Sequence, residues 1–157
     1  MDKSSETLLA RTLRNTRVAA LATMRDGKPR IAMVAYVAAP DFSAFYICVS
    51  KLAQHTMDME KIKYVGLMIS ETDDGRADPN TLVRLSVHGI AESLYPGEPG
   101  YTPVKDLYLN RFPEAQHLFN LDDFCLWRIT PRGARYVAGS TMAFNLTRES
   151  LHKISQR

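Results

Sequence analysis

Val18-Ala-Ala-Leu-Ala-Thr23, Met24-Arg-Asp26-Gly27-Lys-Pro29 and Arg30-Ile-Ala-Met-Val-Ala-Tyr36-Val37 follow one another and decide the fold. Two apolar runs flank Asp26-Gly27, a pair that accepts the positive φ of a tight turn, so the segment reads as an antiparallel hairpin. Pro40-Asp41 ends it, and Ala44-Phe-Tyr-Ile-Cys-Val49 reads as a third, largely buried strand. At Ser50 the period changes. Ser50 is a capping residue, and Leu52, His55 or Thr56, and Met59 then share a helical face. Tyr64 to Ser70 is a fourth strand, and Glu71 to Asn80 a polar loop with Asp-Gly and Asp-Pro breakers. Thr81 to Leu94 alternates: Leu82, Arg84, Ser86 and His88 face one way, Val83, Leu85, Val87 and Gly89 the other.

The flanks are read the same way. Before the hairpin, a helix is predicted over about residues 5–15, capped by Ser4 or Ser5, with Leu8, Leu9 and Leu13 on one side. Arg11, Arg14 and Arg17 read as its solvated face. Beyond a turn-rich stretch, Val104 to Phe112 reads as a helix, and Pro113 opens a short one through Asn120. Asp123 to Thr130 is a strand, Pro131-Arg-Gly133 a turn, and Ala134 to Ala138 a final short strand. From Gly139 onward there is little periodicity. Six or so strands, mostly hairpin-connected, with a helix inserted after the third, predict a mainly β protein: an antiparallel barrel with peripheral helices.

Composition agrees. The chain has 157 residues, 20 Lys+Arg against 17 Asp+Glu for a net charge of +3, and 45 % apolar residues. That is an ordinary globular composition, long enough for one domain spanning residues 1–157. No apolar run approaches the ~18 residues of a membrane span. The N-terminal segment has no signal-peptide pattern. Basic residues are interspersed with acids, which does not call for nucleic acid. Cys48 and Cys125 each sit in an apolar run and read as buried free thiols in a reducing cytoplasm. The four histidines show no metal-ligand spacing, and the methionines Met24, Met33, Met57, Met59 and Met68 read as core filling.

Two places could carry chemistry. The strand-to-helix junction at Ser50 offers hydroxyls (Ser50, Thr56), a cation (Lys51) and the free N–H groups of a helix start, a combination suited to a phosphate. Arg84 interrupts a β-rich strand, and its fork suits phosphate or a polar ring edge. Both also fit plain readings: an N-cap followed by an exposed lysine, and a solvated strand face.

Taken together, Val18–Thr23, Asp26-Gly27-x-Pro29, Met33-Val34-x-Tyr36, Ser50-x-Leu52-Ala53-x-His55-Thr56 and Tyr136-Val137-x-Gly139 resemble the pyridoxamine 5′-phosphate oxidase-like, FMN-binding split-barrel family. Ala10-Arg11-Thr12-Leu13-Arg14, Leu109-x-Arg111-Phe112-Pro113-Glu114-Ala115 and Phe124-x-Leu126-Trp127-Arg128-Ile129 look most like its haem-utilisation (HugZ-like) branch. The resemblance implies a six-stranded antiparallel split barrel over about residues 17–139, with a tail over 140–157, and a homodimer with two FMN sites at the interface. It places the FMN phosphate near Ser50, Lys51, Gln54, His55 and Thr56, and the flavin edge near backbone groups of Met33, Val34 and Ala35. It brings Arg84 toward the cofactor, with Trp127 and Val137–Gly139 coming from the partner chain.

The implied activity is a flavin-dependent oxidoreduction of a small planar substrate, with a possible external reductase; no residue stands out as a general acid or base. The alternative is a haem- or tetrapyrrole-binding protein of iron utilisation, with His55 or His88 as ligand. Larger haem-degrading relatives carry a further C-terminal domain, so the chain's length argues against haem degradation. Arg132 and Arg135 do not reproduce the substrate-phosphate pattern of true pyridoxamine-phosphate oxidases.

Overall fold

The computed structural model describes residues 1–139 and 141–157. Helix α1 (Lys3–Asn15) leads into β1 (Val18–Arg25), β2 (Lys28–Ala35), β3 (Val37–Ala38) and β4 (Phe45–Ser50). Then come α2 (Gln54–Lys61), β5 (Tyr64–Ser70), β6 (Arg84–Leu94), α3 (Tyr101–Arg111), β7 (Phe124–Val137), β8 (Ala143–Leu146) and α4 (Arg148–Ile154). The described strands form one antiparallel sheet in the order β2-β1-β5-β6-β7-β4-β3, with β8 added against β7. The sheet is a curled half-barrel with helices at its periphery.

The opening hairpin is as read. Arg25 pairs with Lys28 around a two-residue loop, and Asp26 and Gly27 take φ of 50° and 71°. Such a turn matches the strand twist and fixes the register of everything downstream. Among the described residues there are eight strands, one of them only two residues long, rather than six. Val37–Ala38 leaves β1 and pairs with Tyr46 and Phe45, and Ala143–Leu146 pairs with β7. The predicted turn at Pro131–Gly133 is instead the interior of β7. A bulge, where the register shifts between His88 and Gly89, accommodates Pro131 opposite Gly89. A side chain on Gly89 would collide with the Thr130 carbonyl, so only glycine permits this approach.

The ends differ from the sequence reading as well. Asp2, not Ser4 or Ser5, caps α1, its carboxylate accepting from Ser5 N–H at 2.7 Å. Leu9 and Leu13 are buried, but Leu8 is exposed. Arg14 is tied down: it donates to the carbonyls of Ser155 and Arg157 and lies over the Phe42 ring. The segment after Gly139 carries β8 and α4, the latter capped by Thr147. Glu6 is buried and accepts two bonds from Arg157, which fastens α4 and the residues after it to α1.

The core lies inside the curl, where Leu21, Tyr36, Phe45, Ile47, Leu67, Ile69, Leu85 and Tyr136 are fully or almost fully buried. A second cluster, including Tyr46, Leu94, Tyr108, Phe112 and Leu126, packs α3 against β4. Cys125 is buried and Cys48 half-buried, both free, and burial pushes the Cys48 thiol up to about 12. Of the methionines read as core, only Met59 is buried among those three on α2 and β5: Met57 and Met68 are exposed, and so is Met33 on β2. Among the described residues no helix is long and apolar enough to cross a membrane.

Candidate functional site

Helix α2 starts at Gln54 rather than at Ser50. Ser50 ends β4, and its hydroxyl accepts from Leu52 N–H, so it shapes the turn before the helix. Thr56 is fully buried and spends its hydroxyl on the Ser50 carbonyl at 2.6 Å. Lys51 is exposed and donates to the Asp122 carbonyl. The N-cap, Ala53, has no side chain able to accept from the first turn. The first turn of α2, at the positive end of the helix dipole, therefore has no side-chain cap, although its Thr56 N–H bonds the Ala53 carbonyl. Ser50, Lys51, Gln54, His55 and Thr56 thus run from the end of β4 into the first turn of α2.

His55 is half-buried, and its Nε2 is buried with no hydrogen-bond partner. Desolvation lowers its pKa, against the opposing charge of Asp58. A buried Nε2 is poorly placed to meet an incoming ligand.

The sequence reading missed the basic side chains across from this turn. Arg25, at the end of β1, donates to Asp58 at 2.6 Å and to the Gln54 carbonyl at 3.0 Å. Asp58 is buried and also accepts from Thr23. Burial alone would raise its pKa, but the bonds from Thr23 and Arg25, aided by the charges of Arg25 and Arg30, lower it. Arg25 and Arg30 flank the hairpin turn by sequence, and only the β1–β2 register carries them to α2. That register is the signal that could have found them.

Met33, Val34 and Ala35 lie on β2, the edge strand beside this turn. Tyr36 N–H bonds the Arg17 carbonyl, so by antiparallel alternation Val34 faces β1 while the backbone groups of Met33 and Ala35 face away from it. β2 and β4 touch there without pairing, which is the split of the barrel.

Arg84 and Gly139 are elsewhere. Arg84 opens β6, pairs in register with Ser70 and Val137, and donates to the carbonyls of Asn80 and Leu82. The Ser50 turn lies by the other end of β6, where Leu94 and Cys48 share Leu126 as partner. One chain therefore does not bring Arg84 to Ser50. Gly139 follows Val137 at Arg84's end of the sheet, with φ of 104°. Trp127 is buried in its own barrel, 4 % exposed, its indole N–H without a partner.

The outer face of β2, β1 and β5 is the second feature that sequence reasoning missed. Ile31, Met33 and Tyr64 are 78, 72 and 71 % exposed, and Val18 and Met68 are exposed beside them. The register joins them: Met33 pairs with Ala20 and Ala20 with Met68, while Ile31 pairs with Ala22 and Ala22 with Gly66. Gly66 pairs with His88, whose side chain is exposed on the same face.

Known proteins share this architecture. A structure described as a candidate pyridoxamine 5′-phosphate oxidase from Listeria innocua matches 85 % of this chain and 98 % of its own, with a TM-score of 0.66 and 15 % identity. The chain is a split barrel of the pyridoxamine 5′-phosphate oxidase-like fold. A heme binding protein from Mycobacterium smegmatis superposes on 98 % of this split barrel with a TM-score of 0.84 and 22 % identity. The chloroplastic non-canonical heme oxygenase HOZ of Arabidopsis thaliana is 31 % identical over 119 residues, 76 % of this chain. The split barrel spans 62 % of the Mycobacterium chain and 35 % of the Arabidopsis protein. No family model matches it. The likeness drawn from the residues, to the split barrels and to their haem-utilisation branch, is the one these relatives display.

Proposed function

We propose that this split barrel is a haem-binding protein of iron utilisation that works as a homodimer. The observation that carries the reading is the outer face of β2, β1 and β5. Five large apolar side chains lie exposed there, continuous with the exposed imidazole of His88. A contiguous apolar surface of this kind on a folded chain marks an interaction site. A flat apolar wall and an exposed imidazole fit a flat metallo-macrocycle, and the remaining wall fits a second copy. Haem, when bound, would supply the iron chemistry; the chain would hold it and shield its face from water. The relatives named for haem support this choice. The free thiols of Cys48 and Cys125 accord with a cytoplasmic setting. The test is the absorption spectrum and mass of the ligand that copurifies with the protein expressed under iron-replete conditions. Bound porphyrin is expected; a purely flavin spectrum would refute the reading.

A second reading is favoured by the α2 terminus. Its first turn has no side-chain cap, Arg25 donates to the Gln54 carbonyl there, and the charge of Arg30 acts on Asp58 of the same helix, a basic setting that fits a phosphate. FMN held there would lay its ring along the open edge of β2 at Met33 and Ala35, with Arg84 and Gly139 supplied by a partner chain. The flavin would then carry electrons between a small planar substrate and an external reductase. Arg30→Ala and Lys51→Ala distinguish this reading, because each weakens FMN binding if the phosphate sits at α2.

A further inference from the structure

The C-terminal end of α1, strand β3 with the loop after it, and helix α3 enclose a cleft of about 380 Å³. Its floor is apolar: Leu13, Tyr36, Val37, Ala39 and Phe42 line it and are buried. Arg14 and Asn110, both exposed, and the half-buried Arg111 also line it, and no acidic side chain does. An apolar floor with a few polar groups is the usual form of a small-molecule site, and such sites run from about 300 to 1,000 Å³.

Two stretches that the sequence singles out, and that neither reading above uses, meet at this cleft. One is Ala10-Arg11-Thr12-Leu13-Arg14 on α1, the other Leu109-x-Arg111-Phe112 at the end of α3. Arg111 donates to the carbonyls of Asn15 at 2.7 Å and Thr16 at 3.2 Å, and Tyr36 donates to the Leu13 carbonyl at 2.8 Å. Three carbonyls at the end of α1 are thereby taken, which offsets the negative end of the helix dipole beside the cleft. Arg14 donates from one Nη to the Arg157 carbonyl and from the other to the Ser155 carbonyl, with its guanidinium 5.1 Å from the centre of the Phe42 ring.

These bonds leave donors to spare. Arg111 spends one of its three nitrogens, and Arg14 keeps Nε and one N–H on each Nη. Among the described residues neither guanidinium pairs with a carboxylate. Both are already fastened to backbone carbonyls, so little side-chain freedom is lost when a ligand pairs with them. The two parts of the cleft define a ligand by its two ends. The planar forks match a carboxylate, which they can bind through paired N–H donors. The floor favours an apolar body over water. A bare inorganic anion would leave the floor unused, and a neutral apolar molecule would leave the guanidiniums unused.

We propose that this cleft binds a small organic acid, its aromatic or branched apolar body on the floor and its carboxylate paired to the guanidiniums that line the cleft. The proposal goes beyond the haem reading and does not depend on it.

The test is a titration of the full chain with phenylacetate, followed in two-dimensional amide NMR spectra, with phenylacetamide and inorganic phosphate titrated in parallel. Phenylacetate is expected to shift the amides of Val37, Ala38, Ala39, Asn110 and Arg111 saturably. Phenylacetamide, the same body without the charge, is expected to bind about tenfold or more weakly, as for the loss of a charge-assisted pair. Phosphate is expected to give no saturable shift at these amides. Asn110→Asp sets a carboxylate at the exposed rim, where it competes for the guanidiniums. It is expected to weaken phenylacetate binding by about tenfold and leave phenylacetamide binding unchanged. Arg111→Gln is expected to weaken phenylacetate binding by about tenfold or more. Arg111 also caps α1, so if that variant does not fold, Asn110→Asp decides alone. Arg132→Ala, on an exposed arginine of β7, binds as wild type. The proposal is overturned by any of three results: no saturable shift with phenylacetate, a phenylacetamide or phosphate affinity equal to that of phenylacetate, or Asn110→Asp binding phenylacetate as wild type does.

Discussion

The strands of this half-barrel are apolar on both faces, but the faces have different fates. On the inner face Leu21, Val34, Leu67 and Leu85 are buried against one another. On the outer face of the same strands Ile31, Met33, Tyr64 and Met68 are exposed. The outer face is itself divided. Its β2–β1–β5 half is apolar, while its β6–β7–β8 half carries His88, Arg132 and Arg135. The inner face is explained by the fold of one chain. The outer face is left exposed by that fold, and it is the surface on which the proposed haem and second copy would sit.

The sharpest way to break this contrast is to truncate one residue from each face. Leu21→Ala, on a fully buried side chain, is expected to cost about 2–5 kcal/mol in denaturant unfolding, through lost transfer energy and the cavity left behind. Met68→Ala on the outer face is expected to stay within about 0.5 kcal/mol for the monomer. Equal costs would mean that the outer face is packed within one chain. The next test charges the apolar half. Met33→Glu is expected to halve the sedimentation mass while leaving the melting of the dissociated chain near wild type, since the side chain is 72 % exposed. An unchanged mass would place the dimer contact elsewhere.

A smaller effect separates the α2 turn from the outer face. Asp58 has a folded pKa lowered by Thr23 and Arg25 against the cost of burial. Its contribution is present above the unfolded carboxylate value and is lost as pH falls through the folded one. Wild type should lose stability below about pH 4, and Asp58→Asn should lose less over that interval, read as Tm against pH. Its haem binding should be unaffected if the ligand lies on the outer face. The smallest effect is expected at Lys51→Ala, which should leave haem affinity unchanged and alter FMN affinity only if FMN binds at all.

Much of the architecture was legible because turn chemistry and alternation are local. Asp26-Gly27 set the hairpin and its register, and Tyr64–Ser70 was bounded correctly by its polar neighbours. Alternation could not say which apolar phase was inside. Met33 and Met68 fall on the outward phase, and in sequence they look like any core methionine. Pro131 reads as a breaker because a ladder N–H is missing there; the bulge opposite Gly89, a pairing 42 residues away in sequence, makes it harmless. The tail was unread because β8 is four residues long and α4 seven, too short for periodicity to register.

The site was half legible for the same reason. Ser50 to Thr56 are neighbours in sequence and fold as one turn, though Ser50 shapes the loop and does not cap α2. Arg25, Arg30, and the meeting of His88 with Arg132 and Arg135 are products of strand register. They become visible only once the strands are paired.

The proposed haem binding on the outer face can be tested in solution. Ferric haem titrated into ligand-free protein, with FMN titrated in parallel, tests it most directly. The account predicts a saturable Soret band with one haem per chain. An unchanged haem spectrum alongside tight FMN binding would contradict it.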